Sequence, residues 1–344
     1  MADNADIFKE LLGKIAGGDS LSATEAEQAF DIMMSGDATA SQMGGLLLAL
    51  RTRGETVDEI TGAASTMRAK ATTITAPQGA MDIVGTGGDK SGTYNISTCT
   101  ALVVAGCGIP VAKHGNRAAT SKSGAADVLS ELGLNLDADF PLLEKAVEEA
   151  GICFMMAQRH HGAMRNVMPT RVELGTPTIF NILGPLSNPA GVKRLLVGTY
   201  LPKWVEPMAT TLGTLGAERA WVVHGSDGLD ELTITGPSMI CEYYEGKVTR
   251  FELSPEDAGL PVGKAEDLKG GDPKYNAAAI RAVLSGETGA YRDIVLFGTA
   301  AALKIAGRVE DLRDGVAIAA EAIASGKAQA ALDRLVAITN EDTA

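Results

Sequence analysis

The sequence predicts an α/β protein, with a small N-terminal helical domain followed by a large domain built on a mainly parallel sheet flanked by helices. Two patterns carry that expectation. Through residues 1–72, helix start and stop signals recur with no strand-like run between them. From about Met81 onward, short apolar runs of β type alternate with helical stretches, the order that parallel strands joined by crossover helices impose.

In the first unit, Ser22-Ala-Thr-Glu25, Thr39-Ala-Ser-Gln42 and Thr56-Val-Asp-Glu59 each fit a capping box, in which a hydroxyl and an acid or amide three residues on satisfy free helix N–H groups reciprocally. Gly36 and Gly54 stand where C-terminal caps belong. Met43, Leu46, Leu47 and Leu50 recur at helical spacing, which reads as packing. The unit is expected to be scaffold or interface, joined across a hinge by part of 163–186; residues 73–344 form the second domain.

Strand-like runs then follow at Ile83-Val84, Ile109-Pro-Val111, Ile152-Cys-Phe154, Leu195-Leu-Val197 and Trp221-Val-Val223, with helical stretches at Ala101–Ala105, Ala125–Leu132 and Leu142–Ala150 among them. Thr233 to Leu253 alternates as two strands turning at Glu245-Gly246. Gly270-Gly-Asp-Pro273 breaks the chain, and alanine-rich helices run from Asn276 to Ile338, with Gly286, Gly289 and Gly326 as stops. Asn276 is either an N-cap or a residue at the edge of a site. Asn181 to Pro189 reads as an interrupted, hinge-like connection.

In sheets of this kind ligands bind beyond the carboxyl ends of the strands. The first such loop, Gly85-Thr-Gly-Gly-Asp-Lys-Ser-Gly-Thr-Tyr-Asn-Ile-Ser-Thr98, combines glycines and small hydroxyls ahead of a helix. Glycine lets backbone N–H groups approach an anion, and the helix N-terminus adds donors. The loop is a phosphate cradle or a glycine-rich surface turn. Lys90-Ser91 follows Asp89 rather than a glycine, which excludes a Walker A loop, and Lys90 occupies the third glycine position of a dinucleotide fingerprint.

The second loop, Ala112 to Gly124, gathers Lys113, Arg117 and Lys122 with Thr120, Ser121 and Ser123 before another helix. Alone it is a solvated basic loop or an anion site. Beside the first loop, it suggests a ligand with more than one phosphate. After the fifth strand, Asp227, Asp230 and Glu231 either form an acidic turn or hold Mg²⁺ through water and phosphate oxygens. His160-His161 lacks metal-ligand spacing, leaving contact with a polar substrate or surface exposure. Arg171 offers a fork for a carboxylate, whether of a ligand or of Glu173.

The chain has 344 residues, 45% hydrophobic and 4% aromatic, so the core is aliphatic and alanine-rich. A net charge of −13 argues against general nucleic-acid binding. Cys99, Cys107, Cys153 and Cys241 form no CxxC pair and read as buried thiols of a reducing compartment. With no leader-like segment, and no apolar run approaching the ~18 residues of a membrane span, a cytoplasmic protein is expected.

These motifs together resemble the anthranilate phosphoribosyltransferase family. The resemblance rests on Gly85–Asp89, Asn95–Thr98, Lys113–Ala118, Ser121–Gly124, Arg171–Gly175, Thr178–Asn181, Leu183–Leu186 and Asp227–Glu231, and it spans nearly the whole chain. It implies a nucleoside-phosphorylase-type fold, a homodimer through the helical domain, and Mg²⁺-dependent reaction of phosphoribosyl pyrophosphate (PRPP) with anthranilate, with neither nucleic acid nor membrane as partner. It also implies that Gly85, Gly88, Asp89, Thr93, Asn95, Ile96, Ser97, Thr98, Lys113, Ser121 and Ala125 bind the donor. Ser97, Asp230 and Glu231 would serve the metal. Gly85, His114, Asn116, His161 and Arg171 would line the acceptor side.

Three positions depart from the family pattern. Ala125 replaces a common Ser, Gly162 replaces the usual Pro after His161, and Thr176-Pro177 lacks a common Arg, which puts a hinge contact in doubt. Two other readings share the fold. A pyrimidine nucleoside phosphorylase would need a longer basic-serine phosphate signature. A non-catalytic nucleic-acid-binding relative would need a basic surface.

Overall fold

The structure is a computed structural model that describes residues 4–117 and 122–342. Four helices open it: α1 (Asn4–Ala16), α2 (Ala23–Ser35), α3 (Ala40–Arg53) and α4 (Val57–Ala69). All three expected capping boxes form, at Ser22, Thr39 and Thr56. Glu59 does more than close its own box. Fully buried, it also accepts from Leu21 N at 2.9 Å and pairs with Arg53, tying the α1–α2 connection to the start of α4.

The second unit alternates β1 (Met81–Gly85), α5 (Ile96–Gly106), β2 (Val111–Gly115), α6 (Ala125–Glu131), α7 (Phe140–Glu149) and β3 (Ile152–Met156). The short helices α8 (Ala157–His160), α9 (Met168–Leu174) and α10 (Phe180–Leu183) come next. They are followed by β4 (Arg194–Gly198), α11 (Val205–Thr214), β5 (Arg219–Gly225), β6 (Ser238–Tyr244) and β7 (Lys247–Leu253). Helices α12 (Pro273–Leu284), α13 (Ala290–Ile305), α14 (Leu312–Ala324) and α15 (Lys327–Thr339) complete the chain.

The strands form one seven-stranded sheet in the order β3-β2-β1-β4-β5-β6-β7. All five expected parallel strands are present, and the β6–β7 hairpin turns at Glu245-Gly246. Both turn residues have positive φ, 49° and 78°, as a tight two-residue hairpin requires.

One strand lies later than its sequence suggested. β2 begins at Val111, because Pro110 has no N–H to give and the ladder to β3 starts with Val111 N on Gly151 O at 2.9 Å. Lys113 and His114 are therefore buried strand residues rather than members of a solvated loop. Among the glycines read as stops, Gly289 and Gly326 open α13 and α15 instead. Asp272, not Asn276, caps α12, accepting from Tyr275 N at 2.8 Å.

Segment 162–183 returns to the helical unit. Asn166 Nδ2 donates to Met34 O at 2.7 Å, the Phe30 and Phe180 rings lie 5.5 Å apart, and Arg51 donates to the Pro177 carbonyl. That last bond brings an arginine to the 176–177 segment, which supplies none itself. Helix α4 faces the sheet domain, with Arg68 donating to Leu186 O at 2.7 Å and Leu215 O at 3.0 Å. Three of the cysteines are fully buried, Cys107 is partly buried, and all four are free thiols. Among the described residues, no helix is long and apolar enough to cross a membrane.

Candidate active site

After β1 the chain moves outward to β2 and β3, and it comes back to pair β4 on the other side of β1. That reversal of strand order opens a crevice beyond the carboxyl ends of β1 and β4, where ligands bind in sheets of this type. Gly85 and Gly198 are register partners at this edge, and the 230–231 loop lies across both. A Cβ on Gly85 would stand 2.3 Å from Asp230 Oδ2, and one on Gly198 would stand 1.6 Å from Asp230 O. Only glycine leaves room for the acid there. Gly87 N donates to Asp230 Oδ2 at 2.6 Å, and Thr86 N donates to Gly198 O at 2.9 Å.

Around this point the charges converge. Ser97, in the first turn of α5, donates its N–H to Glu231 Oε1 at 3.1 Å, so that carboxylate sits at a helix N-terminus. Lys113, 2% exposed, donates to Ile83 O and to Ser97 Oγ at 3.4 Å. Burial raises the Asp230 carboxyl, and the nearby Asp89 charge adds to the effect. Burial, then Asp230, raises Glu231. Burial lowers the Lys113 ammonium, while Asp82, Glu231 and Asp230 oppose that shift.

One buried lysine among these acids leaves the pocket short of positive charge. Two carboxylates and the Ser97 hydroxyl form a hard oxygen donor set, which fits Mg²⁺. Among the described residues no group of three or more His, Cys, Asp or Glu is placed to hold a metal ion. A Mg²⁺ ion held here would therefore need water and substrate oxygens among its ligands. Asp227 is not available to it, since its carboxylate accepts from Thr233 Oγ1 at 2.6 Å, Thr235 Oγ1 at 2.7 Å and Leu229 N at 3.2 Å. It builds the loop that presents Asp230 and Glu231.

The glycine loop is held along its length rather than lying open as a surface turn. Asp89 accepts from Ser91 Oγ at 2.5 Å, and Ser91 Oγ lies 3.2 Å from Thr93 Oγ1. Residues 268–270 close over it: Tyr94 N donates to Leu268 O at 3.1 Å, Lys269 Nζ to Ser91 O at 2.6 Å, and Gly270 N to Gly92 O at 2.9 Å. Asn95 stands at the N-cap of α5 without a side-chain cap bond and reaches Ser123 and Asn276 instead. Ile96 is buried and apolar, so any ligand contact from it would be through the backbone. Thr98 is buried, Gly88 has φ of 86°, and Ala125 opens α6. Ser121 lies outside the described residues.

On the other flank, His114 Nδ1 lies 3.1 Å from Gly184 O and its ring is 5.0 Å from that of His161. Burial pushes the two imidazoles down to about 3 and about 4, so both are neutral at physiological pH. Surface exposure of the histidine pair is thus ruled out, at 0% for His160 and 5% for His161. His160 is structural, with Nδ1 2.6 Å from Thr72 O and its ring against Phe140. Arg171 does not pair with Glu173. Among the described residues it has no carboxylate partner, and its guanidinium lies 5.3 Å over the Phe180 ring. Asn116 is exposed at the mouth, and Arg117 is neutralised by Asp127 at 3.0 Å.

Comparison with known proteins places this geometry in a family. Residues 9–71 match the model of the glycosyl transferase family helical bundle domain, and residues 77–329 match that of its a/b domain. Anthranilate phosphoribosyltransferases from Paramagnetospirillum magneticum and Rhodospirillum rubrum are each 61% identical over 97% of this chain and 96% of their own. This chain is an anthranilate phosphoribosyltransferase family member. The anthranilate phosphoribosyltransferase of Thermus thermophilus superposes with a TM-score of 0.91 at 43% identity, covering 96% of this chain and 99% of that one. The Saccharomyces cerevisiae anthranilate phosphoribosyltransferase, solved in complex with PRPP and Mg, gives 0.87 at 27% identity over 96% and 97% of the two chains.

Behind the site of this anthranilate phosphoribosyltransferase family member stand Asp82 and Tyr291, for which the sequence suggests no role, and Asn276, for which a place at the edge of a site is one of two readings. Asp82, fully buried, accepts from His114 N at 3.1 Å and from Asn188 Nδ2 at 2.8 Å, which joins β1, β2 and the loop before β4. Burial raises its carboxyl to about 6. An acid heading an otherwise apolar strand was the available signal. Asn276 and Tyr291, from the C-terminal helices, both bond to Asn95. No sequence pattern joins positions so far apart.

Proposed function

We propose that the chain transfers the 5-phosphoribosyl group from PRPP to the amine of anthranilate, releasing pyrophosphate, as a step of tryptophan biosynthesis. The observation that supports it best is the meeting of the glycine loop, Lys113 and the Asp230–Glu231 pair at the strand-order reversal. Displacement at the anomeric carbon passes through an oxocarbenium-like state. What the protein must supply is stabilisation of the departing diphosphate and placement of the amine. The backbone N–H of Gly88, the N-terminus of α5 and Lys113 would do the first, since the N–H groups of Thr86 and Gly87 are taken by Gly198 O and Asp230. Asp230, Glu231 and Ser97 would hold Mg²⁺, which when bound neutralises diphosphate oxygens.

On the acceptor side, the unpaired guanidinium of Arg171 is suited to a carboxylate, with Asn116, His114, His161 and Gly85 lining the approach. The neutral imidazoles hold protons poorly, so the aromatic amine would attack with its own lone pair and lose its proton once the C–N bond has formed. No strong general base is required. Residues 1–72 with 163–186 would form one wall of the cleft and the rest of the chain the other.

Leu48 on α3 and Met168 and Val172 on α9 stay 39%, 42% and 71% exposed on helices that pack together. Apolar side chains left exposed on two packed helices support a homodimer through the helical unit. The buried free thiols accord with a cytoplasmic setting. Incubating the protein with PRPP, Mg²⁺ and anthranilate and identifying the product by mass tests the activity. Formation of N-(5-phosphoribosyl)anthranilate is expected. Its absence, with turnover of a nucleoside plus phosphate instead, would replace this reading by the phosphorylase one.

A further inference from the structure

We infer that Asn276 is a positioning residue for the phosphoribosyl donor, acting through the side-chain amide of Asn95; this rests on the donor-site reading above. Asn276 is 1% exposed on α12 and touches two walls of the site. Its Oδ1 accepts from Gly271 N at 2.8 Å, fixing the strip that closes over the glycine loop. Its Nδ2 donates to Asn95 Oδ1 at 2.9 Å.

That second bond sets the orientation of the Asn95 amide. Asn95 Oδ1 also accepts from Ser123 Oγ at 3.0 Å, and Asn95 Nδ2 donates to Ser123 O at 3.2 Å. With two donors directed at its oxygen, the amide cannot reverse without setting its NH₂ against another NH₂. Its oxygen is committed to the protein interior, and its second N–H is left for the half-exposed mouth of the loop. The Asn95 backbone is held as well: Tyr291 OH donates to Asn95 O at 3.2 Å, and the Tyr94 ring stacks 4.3 Å from that of Tyr291. The C-terminal helices thus decide which face of the Asn95 amide a donor meets, although they contribute no residue to the strand-end loops. A buried amide oriented at both ends costs most when one partner is turned from donor to acceptor.

The test compares Asn276→Asp with Asn276→Ala. The aspartate keeps the bond from Gly271 N but places an acceptor against Asn95 Oδ1, whereas alanine removes both bonds. Both variants should raise the KM for PRPP about 10-fold or more, Asn276→Asp at least as strongly as Asn276→Ala, with the KM for anthranilate unchanged. Thermal midpoints separate this from loss of fold. Normal donor KM in Asn276→Asp alongside an impaired Asn276→Ala would assign the effect to the Gly271 strip and overturn the inference. So would equal rises in both KM values. Wild-type turnover with anthranilate, measured in parallel, tests the underlying activity separately.

Discussion

Replacing Gly85 by alanine should disable the site while leaving the fold standing, whereas Gly198→Ala should destabilise the fold itself. The Gly85 Cβ would stand 2.3 Å from Asp230 Oδ2 and 2.8 Å from its Cγ, about 1 Å inside ordinary contact, but these atoms end a side chain that can rotate. Rotation breaks the 2.6 Å bond from Gly87 N and withdraws the carboxylate from its place beside Glu231. A charge-assisted hydrogen bond of this kind contributes about 1.5–3 kcal/mol. A displacement of about 1 Å at a reacting site costs on the order of 100-fold in rate. At Gly198 the obstacle is the Asp230 backbone oxygen at 1.6 Å, which cannot rotate away, so β4 and the 225–231 loop must separate. Overpacking of that degree destabilises by about 1–3 kcal/mol or more. The assay is kcat/KM as a function of Mg²⁺ concentration, together with the thermal midpoint. Gly85→Ala is expected to lose about 100-fold in activity and to need more Mg²⁺ with a near-normal midpoint, whereas Gly198→Ala is expected to melt earlier. Wild-type activity and Mg²⁺ response in Gly85→Ala would refute the placement of Asp230 at the metal.

Arg171→Ala should raise the KM for anthranilate by about 10- to 100-fold with the donor KM unchanged, and an unaltered anthranilate KM removes Arg171 from the acceptor side. Converting Asp230 to Asn and Glu231 to Gln together should abolish the Mg²⁺ response and nearly all turnover; a double variant that keeps both contradicts the metal assignment. The pH dependence follows from the sign of the shifts. Burial raises both carboxyls, so as pH falls from about 8 to about 6 they take up protons and release the metal. The Mg²⁺ concentration for half-activation should rise across that window, and a flat response would show the acids already ionised without the metal.

Most of the fold was legible because its signals are local. The three capping boxes and the Glu245-Gly246 turn are each settled by a few neighbouring residues. The β2 boundary was misjudged because Lys113 and His114 look like loop residues. Their burial depends on acids from β1 and from the loop after β5, which the sequence does not place beside them. Asp227 was grouped with Asp230 and Glu231 on proximity in sequence, but Thr233 and Thr235 claim its carboxylate. The sequence leaves the histidine pair between substrate contact and exposure for a similar reason: His160 is buried against Thr72 and Phe140 and His161 against His114 of β2, all distant in sequence. The histidines, Asp82 and Asn276 all depend on partners far away in sequence.

The most direct test of the central claim measures pyrophosphate release from PRPP and Mg²⁺ with each of a panel of acceptors. The panel holds anthranilate, other aromatic amines and acids, nucleobases and water alone. Release is expected only with anthranilate, in equal amount to the anthranilate consumed, and to vanish on chelation of the metal. Release with a nucleobase or another amine while anthranilate stays inert would contradict the account.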